Sequence, residues 1–483
     1  MTTTTRAPSH SLKANSVGVL SAVFMCMAFM GPAISVAYNT PAAAGGAGFA
    51  LPVSILFALI ACLLVASNIA AFAKKLPSAG FAYTYNSHAF GPHAGFLSGW
   101  AMLTAYGMVG PMIIAAFGGF ASTFLESVLH INLPWQLLSA VFTLFIWAVL
   151  AAGITESVRV AFVFLAIEVG VIVALTCTIL AKGGANGLSL QNFNPAESLH
   201  GIGGLGTGML WGILMFIGFE AAATLGEEAK GSRRTIPAAL FTAVMVIGVF
   251  YVFAAYGSST GFGIDGVSDF ASDTDPWATL AQKFWGGTAL LTLTIIASAA
   301  ANGIAGSNSA VRILFSMGRE SILPAAFGRT SRNGVPQIAL AAYLAFALGF
   351  VLLIGVGYGP FGVWGFCGTL LGLSMVLIYI AVSIAVIPFY LRKHRDEFSV
   401  LRHGVIPVLS AVVMLLPIYG QLHPLPDYPN NLAVFFIPVW MFLGAAYLVY
   451  LHRRYPGRVA AMGRVFDAPA ETAPAATDVP DRV

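Results

Sequence analysis

Two carboxyls, Glu168 and Glu220, stand deep inside long apolar stretches of this 483-residue chain, and no Lys or Arg lies at comparable depth. Ionisable groups in such surroundings are expensive to keep and mark function by default. A pathway whose deep charges are all acidic suits protons, ammonium groups or metal cations, and argues against an anion carrier. The backbone offers chemistry as well. An apolar run from Val17 to Met30 meets Gly31-Pro32-Ala33-Ile34-Ser35, and a later one ending at Ile217 meets Gly218-Phe219-Glu220-Ala221. Gly and Pro free backbone groups from a helix. Freed N–H groups at the start of a half-helix attract an anionic group, and freed carbonyls attract an ammonium or a metal cation.

A zwitterion matches both ends at once. The backbone expected to meet a ligand is therefore that of Gly31, Ala33, Ile34 and Ser35, and of Phe216, Ile217, Gly218 and Phe219. Glu220 adjoins the second break, where it could take up and release a proton; the competing reading is a Glu that stays protonated and bonds freed backbone. Glu168 has two readings too, a coupling group or the partner of another buried polar group. Ser298 and Asn302 could face the first break and complete a cation or substrate site, although small polar residues also hold membrane helices together. Tyr106 could wall the cavity, and Phe219 is a comparable candidate for a gate.

Such groups need elements to hold them. The chain is 58% hydrophobic and 9% charged, with a mean hydropathy of +0.84, whereas a soluble protein carries about 25% charged residues. So few charges cannot cover a water-facing surface, so most of that surface must face lipid. Apolar runs of spanning length fall near 17–37, 50–73, 93–125, 133–153, 158–181 and 205–226, then near 237–260, 284–309, 336–356, 361–389, 404–422 and 431–452. With twelve spans, all of the 23 Lys and Arg except Lys182 and Lys283 fall on one side. Basic loops stay cytoplasmic, which places both termini inside. The two breaks lie in the first and sixth spans, five apart. Five is odd, so a second half of the same plan would be inserted upside down. Paired interruptions at corresponding positions are the sequence sign of a midplane binding site.

The stretch FIGFEAAATLGEEAKGSRRTIPAAL (216–240) resembles the sixth-span signature of the amino acid–polyamine–organocation permeases. NSAVRILFSMGRESILP followed by GVPQ, within 308–337, resembles the loop after their eighth span, and MGPAISV (30–36) sits at their first-span break. The resemblance covers nearly the whole chain. It implies an all-α membrane protein with a five-plus-five inverted repeat (the LeuT-like arrangement), broken helices 1 and 6, and two added spans. The expected parts are a tail at 1–16, repeats at 17–181 and 205–389, two further helices at 404–452 and a tail at 453–483. The resemblance also implies transport of amino acids or related amines, coupled to H+ or Na+ or running as exchange. Glu168 departs from the pattern, because several family members carry there a lysine that stands in for sodium. Leu214 stands where some diamine and arginine carriers have tryptophan.

Other signals carry less. Cys26, Cys62, Cys177 and Cys367 lie in apolar runs without metal spacing, which reads as packing. Gly201–Gly206 matches G-x-G-x-x-G, but no strand precedes it, so it reads as a flexible lead-in to the sixth span. His88 and His93 flank a Gly-Pro turn with no third ligand. Asp265, Asp269, Asp273 and Asp275 in an outer loop read as solvated acids. Glu227, Glu228, Arg233 and Arg234 read as interfacial ion pairs. No nucleotide-binding loop or nucleophile–base motif is evident, and no metal, cofactor or nucleic-acid partner is expected. The sequence therefore points to a gradient-driven permease in the cytoplasmic membrane, with a ligand sensor on the same fold or a polyamine or organic-cation exchanger as alternatives.

Overall fold

The computed structural model describes residues 17–76, 80–153, 158–225, 229–319, 323–331 and 334–455, with 158–161 as backbone alone. The readings placed on the two tails beyond these bounds, on Glu227 and Glu228 and on Arg332 lie outside the described residues. Everything described is helix or connection; one isolated bridge, Val17 with Ala229, is the only β pairing among the described residues.

The first apolar run is two helices, not one. Helix α1 (Val19–Met30) stops where Gly31 takes the left-handed conformation (φ 52°, ψ 72°), and α2 (Pro32–Ala47) starts at once. Proline suits a first helical position because the N–H it lacks would have no helical partner there. After a short 3₁₀ turn come α3 (Leu51–Ala73), α4 (Phe81–Phe90), α5 (Pro92–Leu129), α6 (Trp135–Ala151) and α7 (Val158–Ala181). The second break is alike: α8 (Gly201–Phe216) ends, Gly218 has φ 121°, and α9 (Ala221–Thr224) follows. Then come α10 (Ser232–Phe262), α11 (Val267–Ser272), α12 (Pro276–Trp285) and α13 (Ala289–Arg319). The 57-residue α14 (Gln337–Lys393) carries a non-helical residue, Gly359 (φ 66°), just before Pro360. The chain ends in α15 (Ile406–Val413), α16 (Leu415–Leu422) and α17 (Asn430–Arg454). Nine helical stretches of the described residues are long and apolar enough to cross a membrane, and α1 and α6 are shorter apolar helices.

Helices from the two halves of the chain pack in matched pairs. α2 lies against α8 and α1 against α9, so the two broken helices run side by side in opposite directions with their breaks level. Lys230 N–H donates to the Val17 carbonyl at 2.8 Å, tying the start of one broken helix to the end of the other. α3 packs on α10, and α5 on α13. The outer helices turn apolar side chains outward, for example Leu144 and Phe145 on α6, Phe162 and Val163 on α7, and Phe442 on α17. Apolar patches of that extent are rare on soluble monomers.

Three details differ from the sequence reading. Gly203, Gly204 and Gly206 sit in tightly packed first turns of α8 instead of a flexible lead-in, while Gly201 at the helix start is exposed. A Cβ at Gly203 would strike the His423 carbonyl, one at Gly204 the Gly46 carbonyl, and one at Gly206 the Leu416 carbonyl. Small residues there let backbones approach closely. The short helices α4, α11 and α12 were not foreseen; α4 and α12 mix polar and apolar residues within 10 positions each, too short for an apolar-run reading. Cys177 is exposed, while Cys26, Cys62 and Cys367 are buried.

Candidate functional site

The two breaks touch. A Cβ on Gly218 would come within 3.0–3.1 Å of the Phe29 ring and backbone and of the Met30 nitrogen, so the sixth-span break lies directly on the last turn of α1. Cys26 Sγ donates to the Phe219 carbonyl at 3.3 Å, a second tie between them.

The first break is clamped by α7, α10 and α13. Asn302 Nδ2 donates to the Phe29 carbonyl at 2.7 Å, and Tyr251 donates to the Met30 carbonyl at 3.4 Å. Ser35 Oγ donates to the same Met30 carbonyl at 2.5 Å. The N-terminal amides of α2 are also engaged. Ile34 N–H donates to Ser298 Oγ at 3.2 Å, and Ser298 donates to Glu168 Oε2 at 2.6 Å. Ala33 N–H bonds to Glu168 directly. Glu168 is therefore a cap, brought by α7 to the start of the half-helix, where a carboxylate complements the helix dipole. This changes one expectation: the N–H groups of Ala33 and Ile34, foreseen as a seat for an anionic ligand group, are taken by the protein's own side chains.

At the second break Glu220 is fully buried. Its Oε2 accepts from Gly218 N–H at 3.0 Å and from Tyr379 at 3.0 Å, and its Oε1 accepts from Tyr106 at 2.9 Å. Its own N–H bonds to the carboxyl as well. One carboxyl thus gathers the break, α5 and the second part of α14. Tyr106 serves it as a hydrogen-bond donor and does not line the cavity described next. Phe219 is fully buried, its ring 5.7 Å from that of Tyr379, and Phe216 packs edge-on to Tyr251 at 5.3 Å.

Between the breaks lies a small cavity with room for about one or two waters as it stands. It is lined from the first break by Phe29, Met30, Ser35 and Asn39, from α8 and its end by Leu214 and Ile217, and from α13 by Asn302. The remaining wall is Val109, Met112 and Ile113 of α5 with Trp364 and Leu371 of α14. Of the residues proposed from sequence, Ser35, Ile217 and Asn302 reach this cavity. Gly31, Ala33, Ile34, Gly218, Glu168, Ser298 and Glu220 form the framework immediately behind it. Asn39 escaped the sequence reading, although a polar residue one turn beyond Ser35 on the same helix face was the available signal. Its Oδ1 accepts from Trp364 Nε1 at 3.0 Å. Trp364, Tyr379 and the α5 wall had no local signal, because their facing depends on helix rotation.

The other candidates disperse. No group of three His, Cys, Asp or Glu suited to a metal occurs among the described residues. His93 faces His452 at 3.4 Å, and His88 faces Lys393 at 3.2 Å. Asp275 caps α12 through Ala278 N–H at 3.1 Å, and Asp273 accepts from Thr279 at 2.6 Å, so these two acids of the α11–α12 connection are structural. Trp277 of α12 is fully buried and donates to Thr40 of α2 at 2.9 Å, pinning the loop onto the first broken helix.

Residues 21–455 match the family model described as amino acid permease. The chain is 26% identical over 402 residues to the methylthioribose transporter of Bacillus subtilis, covering 78% of this chain and 82% of that one. It is 26% identical over 366 residues to the low-affinity putrescine importer PlaP of Escherichia coli, covering 72% and 75%. With the branched-chain amino acid permease BcaP of Lactococcus lactis it shares 23% over 445 residues, 85% and 89% of the two chains.

Proposed function

The chain belongs to the amino acid permease family, and from that premise we propose that it carries an amino acid or related amine across the cell membrane by alternating access at the cavity between its two broken helices. It is a multi-pass membrane protein and a secondary transporter. The observation that carries the reading of the site is the contact between the breaks. Gly218 lies against Phe29 and Met30, and one cavity takes its walls from both sides of that contact.

Twelve crossings are the reading best supported. A straight helix the length of α14 would be about 85 Å long at 1.5 Å per residue, against a hydrocarbon core of about 30 Å. The turn at Gly359 divides it into two passes. The pairing of α1 and α2 with α9 and α8, of α3 with α10 and of α5 with α13 supports an inverted repeat of 17–181 on 205–389, with 404–452 added outside it. The basic loops support cytoplasmic termini. Coupling is assigned to protons. Glu168 and Glu220 each join a break to helices distant in sequence, so gaining or losing a proton at either would change how firmly that break is held.

Uptake by purified protein in proteoliposomes, measured with labelled amino acids and amines with and without an imposed pH gradient, tests this. Saturable uptake stimulated by the gradient is expected. Ligand binding without uptake or exchange across the panel would replace the transporter with a sensor. Stimulation by a sodium gradient alone would overturn the proton assignment.

A further inference from the structure

The last helix, α17, is fastened to α5 by a zipper of aromatic side chains. Trp100 Nε1 donates to the Trp440 carbonyl at 2.9 Å, and Trp440 Nε1 donates back to the Trp100 carbonyl at 3.1 Å. Their indoles stack with centroids 4.6 Å apart, and Gly444 leaves room for the Trp100 ring. Phe96 meets Tyr447 one turn nearer the start of α5, with centroids 6.1 Å apart. The zipper ends in a pair of histidines, His93 in the first turn of α5 and His452 in the last turn of α17. Both stand on helices already locked to one another, so their spacing is set by packing and not by a loop.

That spacing is poor for a hydrogen bond and good for a shared metal ion. His93 Nε2 and His452 Nδ1 are 3.4 Å apart, beyond the roughly 2.7–3.2 Å over which an N–H group bonds well. Two nitrogens each about 2.0–2.1 Å from one tetrahedral zinc stand about 3.3–3.4 Å apart, with their ring centres about 5.2 Å apart. A straight N–H···N bond of the observed length would instead put the ring centres about 5.7 Å apart. The centroids are 5.2 Å apart and the rings are tilted by 52°. Both imidazoles are exposed, so water can supply the remaining ligands. With a metal on these two nitrogens, each ring keeps its proton on the other one. Arg453 and Arg454 oppose a cation here, but both are exposed, where salt screens their charge. The Arg454 guanidinium is turned over the Tyr455 ring.

We propose that His93 and His452 together bind a divalent first-row transition cation such as zinc, which joins α17 to α5. Imidazole nitrogen suits zinc, copper and nickel, whereas magnesium and calcium take oxygen ligands. No third His, Cys, Asp or Glu stands with the pair among the described residues, so the ion is held by two side chains and water. From this end α5 runs on to Val109, Met112 and Ile113 in the cavity wall. The ion would therefore fix an added outer helix to an element of the central site. The metal site is separate from that cavity and does not depend on the transport reading.

The test uses the full chain in detergent, stripped with a chelator that is then removed, and titrated with zinc chloride in a non-coordinating buffer. Calorimetry should show a saturable site for one zinc ion per chain, reversed by chelator, and magnesium should give no such site. His93→Ala and His452→Ala should each weaken that site at least tenfold. The double variant should lose little more than either single one, because the two rings share one ion. Hydrogen exchange on the unsubstituted protein reads the location even if a variant fails to fold. Zinc should slow exchange in both helix ends that carry the histidines. Zinc binding that survives in both single variants, protection confined to other segments, or no binding up to millimolar zinc overturns the proposal.

Discussion

A carboxyl with no exposed surface must draw its partners from the protein, and Glu220 draws on Gly218, Tyr106, Tyr379 and its own amide. Glu220→Gln keeps the shape but cannot carry charge; its oxygen can keep the Gly218 and Tyr379 donors while its nitrogen donates to the Tyr106 hydroxyl. Uptake in proteoliposomes should fall at least tenfold and lose its dependence on pH between 5 and 8; an unchanged pH profile removes Glu220 from coupling. Tyr379→Phe takes away one donor to this carboxyl, and a hydrogen bond contributes about 0.5–1.5 kcal/mol net. A loss of stability on that scale, read as a lower thermal midpoint, is expected, whereas no loss would mean that the Tyr379 bond contributes nothing. The deep acids were legible in the sequence because a charge stands out in an apolar run. Their partners were not. Nothing near Glu168 announces that Ser298, 130 positions on, will stand between it and the amide of Ile34.

At the scale of elements, the breaks were the most readable part, because Gly31-Pro32 and Gly218 state a backbone requirement in residue type. Both glycines have positive φ; a Cβ at Gly31 would come within 2.5 Å of Asn302 Nδ2, and one at Gly218 would be tight, 3.0–3.1 Å from Phe29 and Met30. Gly218→Ala should cost about 1–3 kcal/mol of strain, seen as a lower thermal midpoint together with lost uptake. The run at 201–206 was misread because a glycine cluster has the same letters whether it is a loose turn or a close helix contact. What decides is the backbone of Gly46 and of 416–423, which come from other parts of the chain. The segment of α11 and α12 carries its own pH dependence. Burial, helped by the Asp273 charge and opposed by Ala278 N–H, raises Asp275 from 3.8 to about 6. A carboxyl that holds its proton more tightly when folded favours the docked segment at low pH. That contribution is complete below 3.8 and is lost as pH rises through about 6. Amide exchange in α12, corrected for intrinsic rate, should therefore be slower at pH 5 than at pH 7.5, and Asp275→Asn should abolish the difference. Equal protection at both pH values in the wild type would contradict this.

At the scale of the whole molecule, a helical membrane protein with interrupted first and sixth spans follows from the length of the apolar runs and from Gly31-Pro32 and Gly218, all visible without coordinates. The lining of the cavity does not, because it depends on which face each helix presents. Val109 and Ile113 meet Leu371 and Trp364 only because α5 packs along α14. If this cavity is the transport site, it opens to each side of the membrane in turn. Ile217→Cys, in a variant whose four native cysteines are replaced by Ser or Ala, reports that opening. The variant is sealed in proteoliposomes and treated from one side at a time with a membrane-impermeant thiol reagent. Slow labelling from both sides is expected, suppressed by a transported substrate at concentrations that saturate uptake. Labelling that is absent from both sides, or that ignores saturating substrate, would contradict it.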